Sequence, residues 1–416
     1  MNSFSGFYKK SVKERILVLK SKYKLSDEEI TMLENSGALD LNVADRMIEN
    51  VIGAVHLPLG IATNFVINGK ETIIPMALEE PSVIAAASNA AKLSLPEGFI
   101  SIAQEPVMIG QIQIVDIKDA KKAIEIFNKN KKEIFDYAKQ FALDMEKYGG
   151  GLVDVSIRKL DTIRGKMLIC EASINVCDAM GANTINTVLE KLSPYLANLL
   201  GGKIRLRILT NLAVKRKVKA SAIWKKEAIG EDAIEGILDG YAFAKSDIYR
   251  CATNNKGIMN GMDSIAIATG NDWRAVEAGA HAYASIEGYK PLASYTKTEK
   301  GDILGEIELP LSVGTVGGAI NTLPQTKTMF KIMGIKSSGE LSMIMACVGL
   351  ANNFAALKAL STEGIQKGHM GLHARNICVM AGAKTPKEID KLTEILAREN
   401  NFSLGFAKQK LGEMRR

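Results

Sequence analysis

The chain has 416 residues, a net charge of +7 and 47% hydrophobic residues, which allows two or three domains and excludes a globally disordered chain. Lys and Arg are dispersed without long blocks of like charge, which argues against a nucleic-acid-binding stripe, while the mild positive balance suits a small anionic substrate. The five cysteines show neither CxxC spacing nor a disulfide framework, so a reducing cytoplasm fits. We find no apolar signal core at the N-terminus and no run of about 18 apolar residues, and therefore expect no membrane span.

The first hundred residues alternate between helical and strand-like patterns. In chain order they predict two short helices over 11–35, a helical stretch over 41–50, strands over 56–67 and 71–76, and a small-residue helix over 82–91. Ser26 begins a capping box at the second helix, and Asn68-Gly69 is a hairpin signal between the two strands.

A different pattern begins near residue 109. In chain order it predicts a strand, a charged helical region over 119–147, strands over 152–158 and 166–176, a helix over 183–199 and a strand over 203–209. This β-α-β-β-α-β order is typical of a split antiparallel α+β domain, here inserted into a larger one. Residues 203–209 alternate charged and aliphatic side chains, so we expect one face of that strand to be wet.

The chain after Ala213 reads as mainly helical. Strands are expected at 302–309 and near the glycine-rich residues 312–320. Thr385 and Pro386 begin a capped helix near the C-terminus.

Residues 250–281 carry two unusual polar clusters, 253–257 and 270–273, separated by a small apolar run. Lys256 and Asp272 are candidates for a cation and an anion held together in a poorly hydrated site, where a lysine stabilises developing negative charge. The same residues also fit a solvated surface, since most lysines and aspartates are exposed and Asn-Gly steps form turns.

Six motifs in chain order resemble hydroxymethylglutaryl-CoA reductase in its soluble class II form. They are ENVIG (49–53), EEPSV (79–83), DAMGAN (178–183), NKG (255–257), GND (270–272) and GHM (368–370). The resemblance covers nearly the whole chain and implies an α+β fold: a discontinuous, mainly helical large domain (1–108 and 214–363), an inserted split β-α-β coenzyme-binding domain (109–213) and a helical C-terminal flap (364–416). It implies a four-electron reduction of the substrate thioester to mevalonate and coenzyme A with two NAD(P)H, in the mevalonate pathway to isoprenoids.

The resemblance assigns four catalytic residues, and the chemistry is consistent with them. Each hydride addition to a carbonyl builds an oxyanion, which Lys256 would stabilise. Glu80 would donate a proton, and burial beside Pro81 should raise its pKa for that task. Asp272 would bridge Glu80 and Lys256, although it also fits the N-cap of a helix beginning at the next residue. His369 would protonate the departing thiolate.

The resemblance also assigns binding residues. Those expected to contact the substrate are Ser82, Asn211, Arg250 and Asn260. Those expected to contact the coenzyme are Asp178, Met180, Gly181, Ala182 and Asn183. In that segment a glycine would let the amides of a helix N-terminus approach a pyrophosphate, although an ordinary strand-to-helix turn has the same pattern. We read His373 as a packing residue and expect no metal, because no third ligand accompanies the two C-terminal histidines.

Coenzyme choice is predicted from the position seven residues before Gly149, where NAD-preferring relatives carry an aspartate. Ala142 stands there and leaves room for a 2′-phosphate, so we expect NADPH to be favoured over NADH. Asp144 is the alternative, since a two-residue shift of the loop would restore a carboxylate.

The resemblance further implies a homodimer with interfacial active sites, with a hexamer as the larger assembly it allows, and a cytoplasmic enzyme without nucleic-acid or membrane partners. Two alternatives remain: a reductase of another acyl-CoA thioester, and a non-catalytic protein of the same fold that binds coenzyme A or a nucleotide.

Overall fold

The structure, a computed structural model, describes residue 4 and residues 6–36, 39–362 and 374–415. In chain order the strands are β1 (Leu59–Ile67), β2 (Lys70–Ala77), β3 (Phe99–Ala103), β4 (Val107–Val115), β5 (Gly151–Thr162), β6 (Gly165–Asn175), β7 (Lys203–Leu209), β8 (Lys217–Trp224), β9 (Ala293–Lys297) and β10 (Ile303–Pro310). The first helices are α1 (Val12–Tyr23), α2 (Asp27–Glu34), α3 (Leu41–Ala44), α4 (Val83–Leu93), α5 (Ala120–Lys129), α6 (Lys131–Lys139), α7 (Leu143–Glu146) and α8 (Ala182–Leu200). They are followed by α9 (Lys226–Ile229), α10 (Glu231–Ser246), α11 (Ile248–Ala268), α12 (Trp273–Ala284), α13 (Pro324–Met333), α14 (Ser338–Ser361), α15 (Pro386–Arg398) and α16 (Leu404–Met414).

The N-terminal elements largely follow the sequence pattern. The capping box of α2 is present, with Ser26 accepting from the Glu29 amide and Glu29 reaching back, and Asn68-Gly69 joins β1 to β2 as predicted. The helix expected over 41–50 is wrong in its length. It stops at Ala44, and residues 45–58 form turns and irregular backbone.

The four-stranded sheet confirms the predicted β-α-β-β-α-β order. Its strands run β5-β6-β4-β7, and each neighbouring pair is antiparallel. The charged face of β7 is exposed, as expected, and its other face is open as well, because Leu206 and Ile208 are 62% and 50% exposed. Within the described structure this strand lies at the sheet edge with β4 as its neighbour, so little covers its aliphatic side chains.

The second half of the chain holds more strand than its sequence indicated. The six-stranded sheet runs β2-β1-β3-β8-β10-β9, and both β8 and β9 lie where a helical region was expected. The strand expected near 312–320 is absent from the structure, which has irregular backbone there and a short 3-10 turn. In β8 the buried Val218, Ala220 and Ala222 alternate with polar residues, but two alanines give a weak strand signal.

The longest helix, α14, is apolar enough and long enough to cross a membrane by length and composition alone, which the sequence reading had not expected. Two-thirds of its apolar window is buried inside the protein, where it packs on α4, α11 and β8. Phe354 of α14 stacks on Trp224 with ring centroids 3.8 Å apart, and Trp224 Nε1 donates to the Ala90 carbonyl. We therefore describe α14 as a core helix.

Hydrophobic packing divides the described residues into separate clusters. One cluster takes its buried members only from residues 108–213, around the four-stranded sheet. A larger one joins the six-stranded sheet to α10, α11 and α14. A third surrounds α1 and α2, and a fourth lies within residues 377–414.

Cross-strand ion pairs fasten the open face of the large sheet. Glu308 of β10 accepts from Lys217 at 2.7 Å and from Lys219 at 2.8 Å, and it also accepts from the Tyr283 hydroxyl. Burial acts to raise the pKa of Glu308, but these three hydrogen bonds outweigh it and lower the pKa to about 2. The carboxylate form is therefore favoured by folding.

We predict that Glu308→Gln flattens the dependence of stability on acidity. An unfolded glutamate has a pKa of roughly 4.3, so the contribution of Glu308 is complete above that pH and is lost as the pH falls toward the folded value. Near pH 7 the variant should lose roughly 1–3 kcal/mol of unfolding free energy, measured by urea denaturation. Glu306→Gln is the control, because Glu306 is exposed on the same strand without an ion pair in the described structure. Equal losses in both variants at pH 7 would contradict the prediction.

Candidate active site

Lys256 and Glu80 lie in contact, although 176 residues separate them in the chain. Lys256 projects from α11, and Glu80 lies in the turn between β2 and α4. The Lys256 Nζ is 3.3 Å from Glu80 Oε2, and Asn260 Nδ2 lies 3.5 Å from the same oxygen. Since Lys256 and Asn260 are one helical turn apart, they present a cation and an amide donor to one carboxylate.

Two buried amides of α14 fix the elements that carry this contact. Asn352 Nδ2 donates to the carbonyl of Val83, the first residue of α4, at 3.0 Å. Asn353 Nδ2 donates to Asn254 Oδ1 of α11 at 2.9 Å. Both side chains are nearly inaccessible, at 6% and 1% exposure.

The Lys256–Glu80 pair is more exposed to solvent than the sequence-based prediction required. The side chains of Lys256 and Glu80 are 62% and 37% exposed. The expected burial of Glu80 beside Pro81, and the expected poorly hydrated lysine, are therefore not found in the single chain. Both groups stand where an exposed face of α11 meets a surface turn.

Ser82 has a strained backbone at the start of α4. Its φ is +81°, in the left-handed region that non-glycine residues avoid. Such strain is often retained at functional sites. Of the other expected substrate contacts, Arg250 is half-buried in the first turn of α11, where its amide donates to Asp247.

Asn211 is exposed, and its carbonyl lies so close to α12 that a Cβ on Gly279 would be 2.6 Å away. In the described structure neither Asn211 nor Arg250 contacts Glu80 or Lys256.

Asp272 caps α12, which confirms the N-cap interpretation. Its Oδ1 accepts from the amides of Arg274 and Ala275 and pairs with the Arg274 guanidinium at 3.2 Å. Among the described residues it contacts neither Glu80 nor Lys256. The bridging role therefore stays a prediction.

The DAMGAN segment forms the turn from β6 into α8. Asp178 anchors it: Oδ1 accepts from the Ser338 amide at the start of α14, and its carbonyl accepts from Thr315 N, both at 2.8 Å. Gly181 has φ +100°, and a Cβ there would lie 2.6 Å from Val176 Cγ1. Only glycine fits this turn, from which Ala182 begins α8 and Asn183 is exposed.

Two side chains, Arg216 and Asn271, hold the same segment from behind. Arg216, 3% exposed, donates to the carbonyls of Ala179 and Val313. Asn271 exchanges hydrogen bonds with the backbone of Gly314, at 2.7 and 3.1 Å. A Cβ on Gly314 would be 2.8 Å from Met180 N, so this stretch packs directly on the turn.

Asn271, the residue before Asp272, is thus connected by hydrogen bonds through residues 313–316 to the DAMGAN turn. Asn271 belonged to a polar cluster that the sequence showed. Arg216 had no local signal, because only the fold places it under the turn.

Ala142 does not lie where the prediction of coenzyme choice required. It is 1% exposed and packs in the core of the four-stranded unit, which argues against contact with a coenzyme. One exposed carboxylate nearby is Asp144, paired with Lys147 Nζ at 2.7 Å. This segment lies beside the DAMGAN turn, since the Cys177 thiol is 3.4 Å from the Tyr148 carbonyl.

His369 and His373 lie outside the described residues, as do Gly368 and Met370. Over the described ranges, no group of three or more His, Cys, Asp and Glu side chains is arranged to hold a metal ion.

Comparison with known proteins gives one consistent family. The model of hydroxymethylglutaryl-coenzyme A reductase matches residues 11–374. The chain is 50% identical to the 3-hydroxy-3-methylglutaryl-coenzyme A reductase of Archaeoglobus fulgidus, over 99% of this chain and 94% of that protein. It is 35% identical to a probable enzyme of the same name from Borreliella burgdorferi, over 100% and 96% of the two chains. The structure of the class II enzyme from Streptococcus pneumoniae, bound to NADPH in open conformations, matches with a TM-score of 0.82 and 39% identity, over 98% of this chain and all of that one.

Proposed function

The chain belongs to the hydroxymethylglutaryl-CoA reductase family and is an oxidoreductase, and we propose that Lys256, Glu80, Asp272 and His369 carry out its reaction. That reaction converts the thioester to mevalonate and coenzyme A in two reductions, with a proton needed at each new alkoxide. The contact between Lys256 and Glu80 is the observation that carries the proposal.

Lys256 supplies the positive charge for each oxyanion, and Glu80 supplies a proton beside it. The ammonium and the carboxyl group share one small region, so a carbonyl oxygen between them meets both a cation and an acid. Asn260 donates to the same Glu80 oxygen and orients it. Asp272, on the element following α11, completes this group once substrate and further protein surface exclude water.

His369 has a role only in the first reduction. Expulsion of coenzyme A leaves a thiolate, and an imidazole that titrates near neutrality is suited to protonate it. We assign the substrate's free carboxylate to Arg250, whose planar guanidinium suits a bidentate contact, together with Ser82 and Asn211.

The coenzyme, which supplies hydride when bound, is assigned to the DAMGAN turn. The fit rests on Gly181, where a Cβ would strike Val176, and on the first-turn amides of α8, which suit a pyrophosphate. We propose that NADPH is preferred, as the neighbour from Streptococcus pneumoniae binds NADPH. Lys147 supports this choice, because its ammonium offsets the Asp144 carboxylate that would repel a 2′-phosphate.

We propose a homodimer in which the second copy covers the open site, with hexamers as the possible larger assembly. Large apolar side chains stand on the surface of the chain: Ile52 and Val55 in the segment before β1, and Ile100 and Ile102 on the open face of the large sheet. Exposed apolar groups of this kind mark protein interfaces. A partner would also supply the burial that Glu80 lacks.

The domain division 1–108 with 214–363, 109–213 and 364–416 is part of the same proposal. The separate hydrophobic clusters support the boundaries near 109 and 213 to within a few residues, and they are consistent with a third boundary between residues 357 and 377. We place the enzyme in the cytoplasm, where its free cysteines stay reduced.

We predict that Lys256→Ala lowers two rates by about 10²–10³-fold: that of thioester reduction, and that of the reduction of added mevaldehyde, the aldehyde intermediate of the reaction. Both steps build an oxyanion. NADPH oxidation measures both reactions. Lys290→Ala is the matched control, since Lys290 is a nearby exposed lysine whose ammonium pairs with Glu287 in the described structure.

Near-normal turnover by folded Lys256→Ala would overturn the assignment. The same assay with other acyl-CoA thioesters tests the two alternative functions: a faster substrate would replace the thioester assigned here, and binding without turnover by wild type would indicate a non-catalytic protein.

His369→Gln should impair thioester reduction far more than mevaldehyde reduction, because only the first expels a thiolate. The measurement is kcat for each substrate, with His373→Gln as the control expected to be milder on both. Equal losses on the two substrates would assign His369 a different role.

Wild type should show a higher kcat/KM for NADPH than for NADH. Lys147→Met should lower the ratio of these two values, because the Asp144 carboxylate then lacks the ammonium that offsets its charge. Lys159→Met is the control, because Lys159 pairs with Asp161 on the distant hairpin of the same sheet. A wild type that strongly prefers NADH would refute the proposed coenzyme choice.

A further inference from the structure

One buried amide side chain, that of Asn271, joins two parts of the proposed site that are far apart in sequence. Asn271 is 9% exposed and directly precedes Asp272, whose carboxylate caps α12. Its Oδ1 accepts from the amide of Gly314 at 2.7 Å, and its Nδ2 donates to the carbonyl of the same residue at 3.1 Å. The side chain therefore uses its donor and its acceptor together on one stretch of backbone.

A further contact sets the orientation of this amide group. Asn271 Nδ2 lies 3.0 Å from Thr269 Oγ1, and that hydroxyl donates to the Ile265 carbonyl of α11 at 2.7 Å. Thr269 is fully buried. The position of the amide group, and with it that of Gly314, is thereby set by the end of α11.

Gly314 and the residue after it carry the contact on to the DAMGAN turn. A Cβ on Gly314 would lie 2.8 Å from Met180 N, so the two backbones touch directly. Thr315 N donates to the Asp178 carbonyl at 2.8 Å. Two consecutive residues that Asn271 holds in place thus hold the turn that we assign to the coenzyme.

Arg216 anchors the same stretch from its other end. Its guanidinium, 3% exposed, donates to the carbonyl of Val313 and, at 3.0 Å, to that of Ala179 in the turn. Both anchors are buried and both act on residues 313–315. Of the two, Asn271 lies beside a proposed catalytic group, so its side chain connects the position of that group with the position of the turn.

We propose that Asn271 is a positioning residue, whose side chain fixes the DAMGAN turn relative to the Asp272 carboxylate of the same chain. The inference rests on the proposed roles of the turn and of Asp272. Asn271 contacts neither substrate nor coenzyme in this proposal; it acts through Gly314 and Thr315 on the turn, and through the chain on Asp272. The bound coenzyme and the Asp272 carboxylate then meet the reacting carbonyl in one geometry, which the rate of reduction requires.

Asn271→Ala tests the proposal in the reduction of added mevaldehyde. At saturating NADPH the kcat should fall by up to about 10²-fold, the cost of misplacing reacting groups by about 1 Å. The KM for mevaldehyde should change little, because its proposed contacts, Arg250 and Ser82, are not held by Asn271. The Kd of NADPH is measured separately, from the change of its fluorescence on binding.

Asn68→Ala is the matched control. Asn68 makes the same pair of side-chain hydrogen bonds with the backbone of Ser101, each at 2.9 Å. In the described structure its hydrogen bonds join the β1–β2 hairpin to β3 and to α14, and none reaches Asp272 or the DAMGAN turn. A merely structural role would lower the thermal midpoint of both variants and leave both with the kcat of wild type.

Thr269→Val is the second variant, which decides the question if Asn271→Ala does not fold. Valine keeps the volume of the side chain and removes one contact of the Asn271 amide. The kcat should fall in the same direction and by less than in Asn271→Ala. A wild-type kcat in Thr269→Val would then overturn the inference.

A kcat of folded Asn271→Ala equal to that of Asn68→Ala would overturn the inference. A raised Kd for NADPH with an unchanged kcat would also overturn it, since Asn271 would then serve coenzyme binding alone. Failure of the proposed function has different signs. Gly181→Ala would keep the NADPH affinity of wild type if the coenzyme binds elsewhere, and Asp272→Asn would keep its turnover if Asp272 is not catalytic.

Discussion

The contact between Lys256 and Glu80 depends on two adjacent amides deep in the protein. Asn352 holds the start of α4, which follows the turn carrying Glu80, and Asn353 holds α11, which carries Lys256. Because the two asparagines are adjacent on α14, they fix the positions of Glu80 and Lys256 relative to each other. Close approach makes this possible: a Cβ on Gly261 would lie 2.3 Å from Asn352 Oδ1. A buried amide that loses its hydrogen-bond partner destabilises the fold by more than the hydrogen bond stabilises it. Movement of α4 or α11 away from α14 is therefore strongly disfavoured.

A second set of buried polar groups connects the two sheets. Arg216 is a cation with backbone carbonyls as its hydrogen-bond acceptors, and burial lowers its pKa to about 10, against the opposing attraction of Asp178. It remains charged at neutral pH. Placing such a group beneath the DAMGAN turn fixes the turn relative to Asn271, one residue from Asp272.

Local pattern was sufficient for the four-stranded unit, whose strands and helices have clear periods and glycine or cap boundaries. It failed at β8, where alanines weaken the alternation, and at residues 312–320, where glycines suggested a strand but the backbone instead bonds to Asn271 and Asp178. The candidate site residues were identified from six sequence motifs that occur in the same order as in the family. Their exposure could not be read from sequence, because it depends on which surfaces meet, and neither could the burial of Ala142, found only by counting back from a glycine.

The position of Arg216 has a consequence for how the protein unfolds. The cluster around the four-stranded sheet ends at Ala213, so two nearly independent cores would be expected to melt in separate steps. Yet Arg216 lies where the chain leaves that unit, and opening either core would leave a buried guanidinium beside unpaired carbonyls. The cost of that intermediate favours the loss of both cores together, as one cooperative transition.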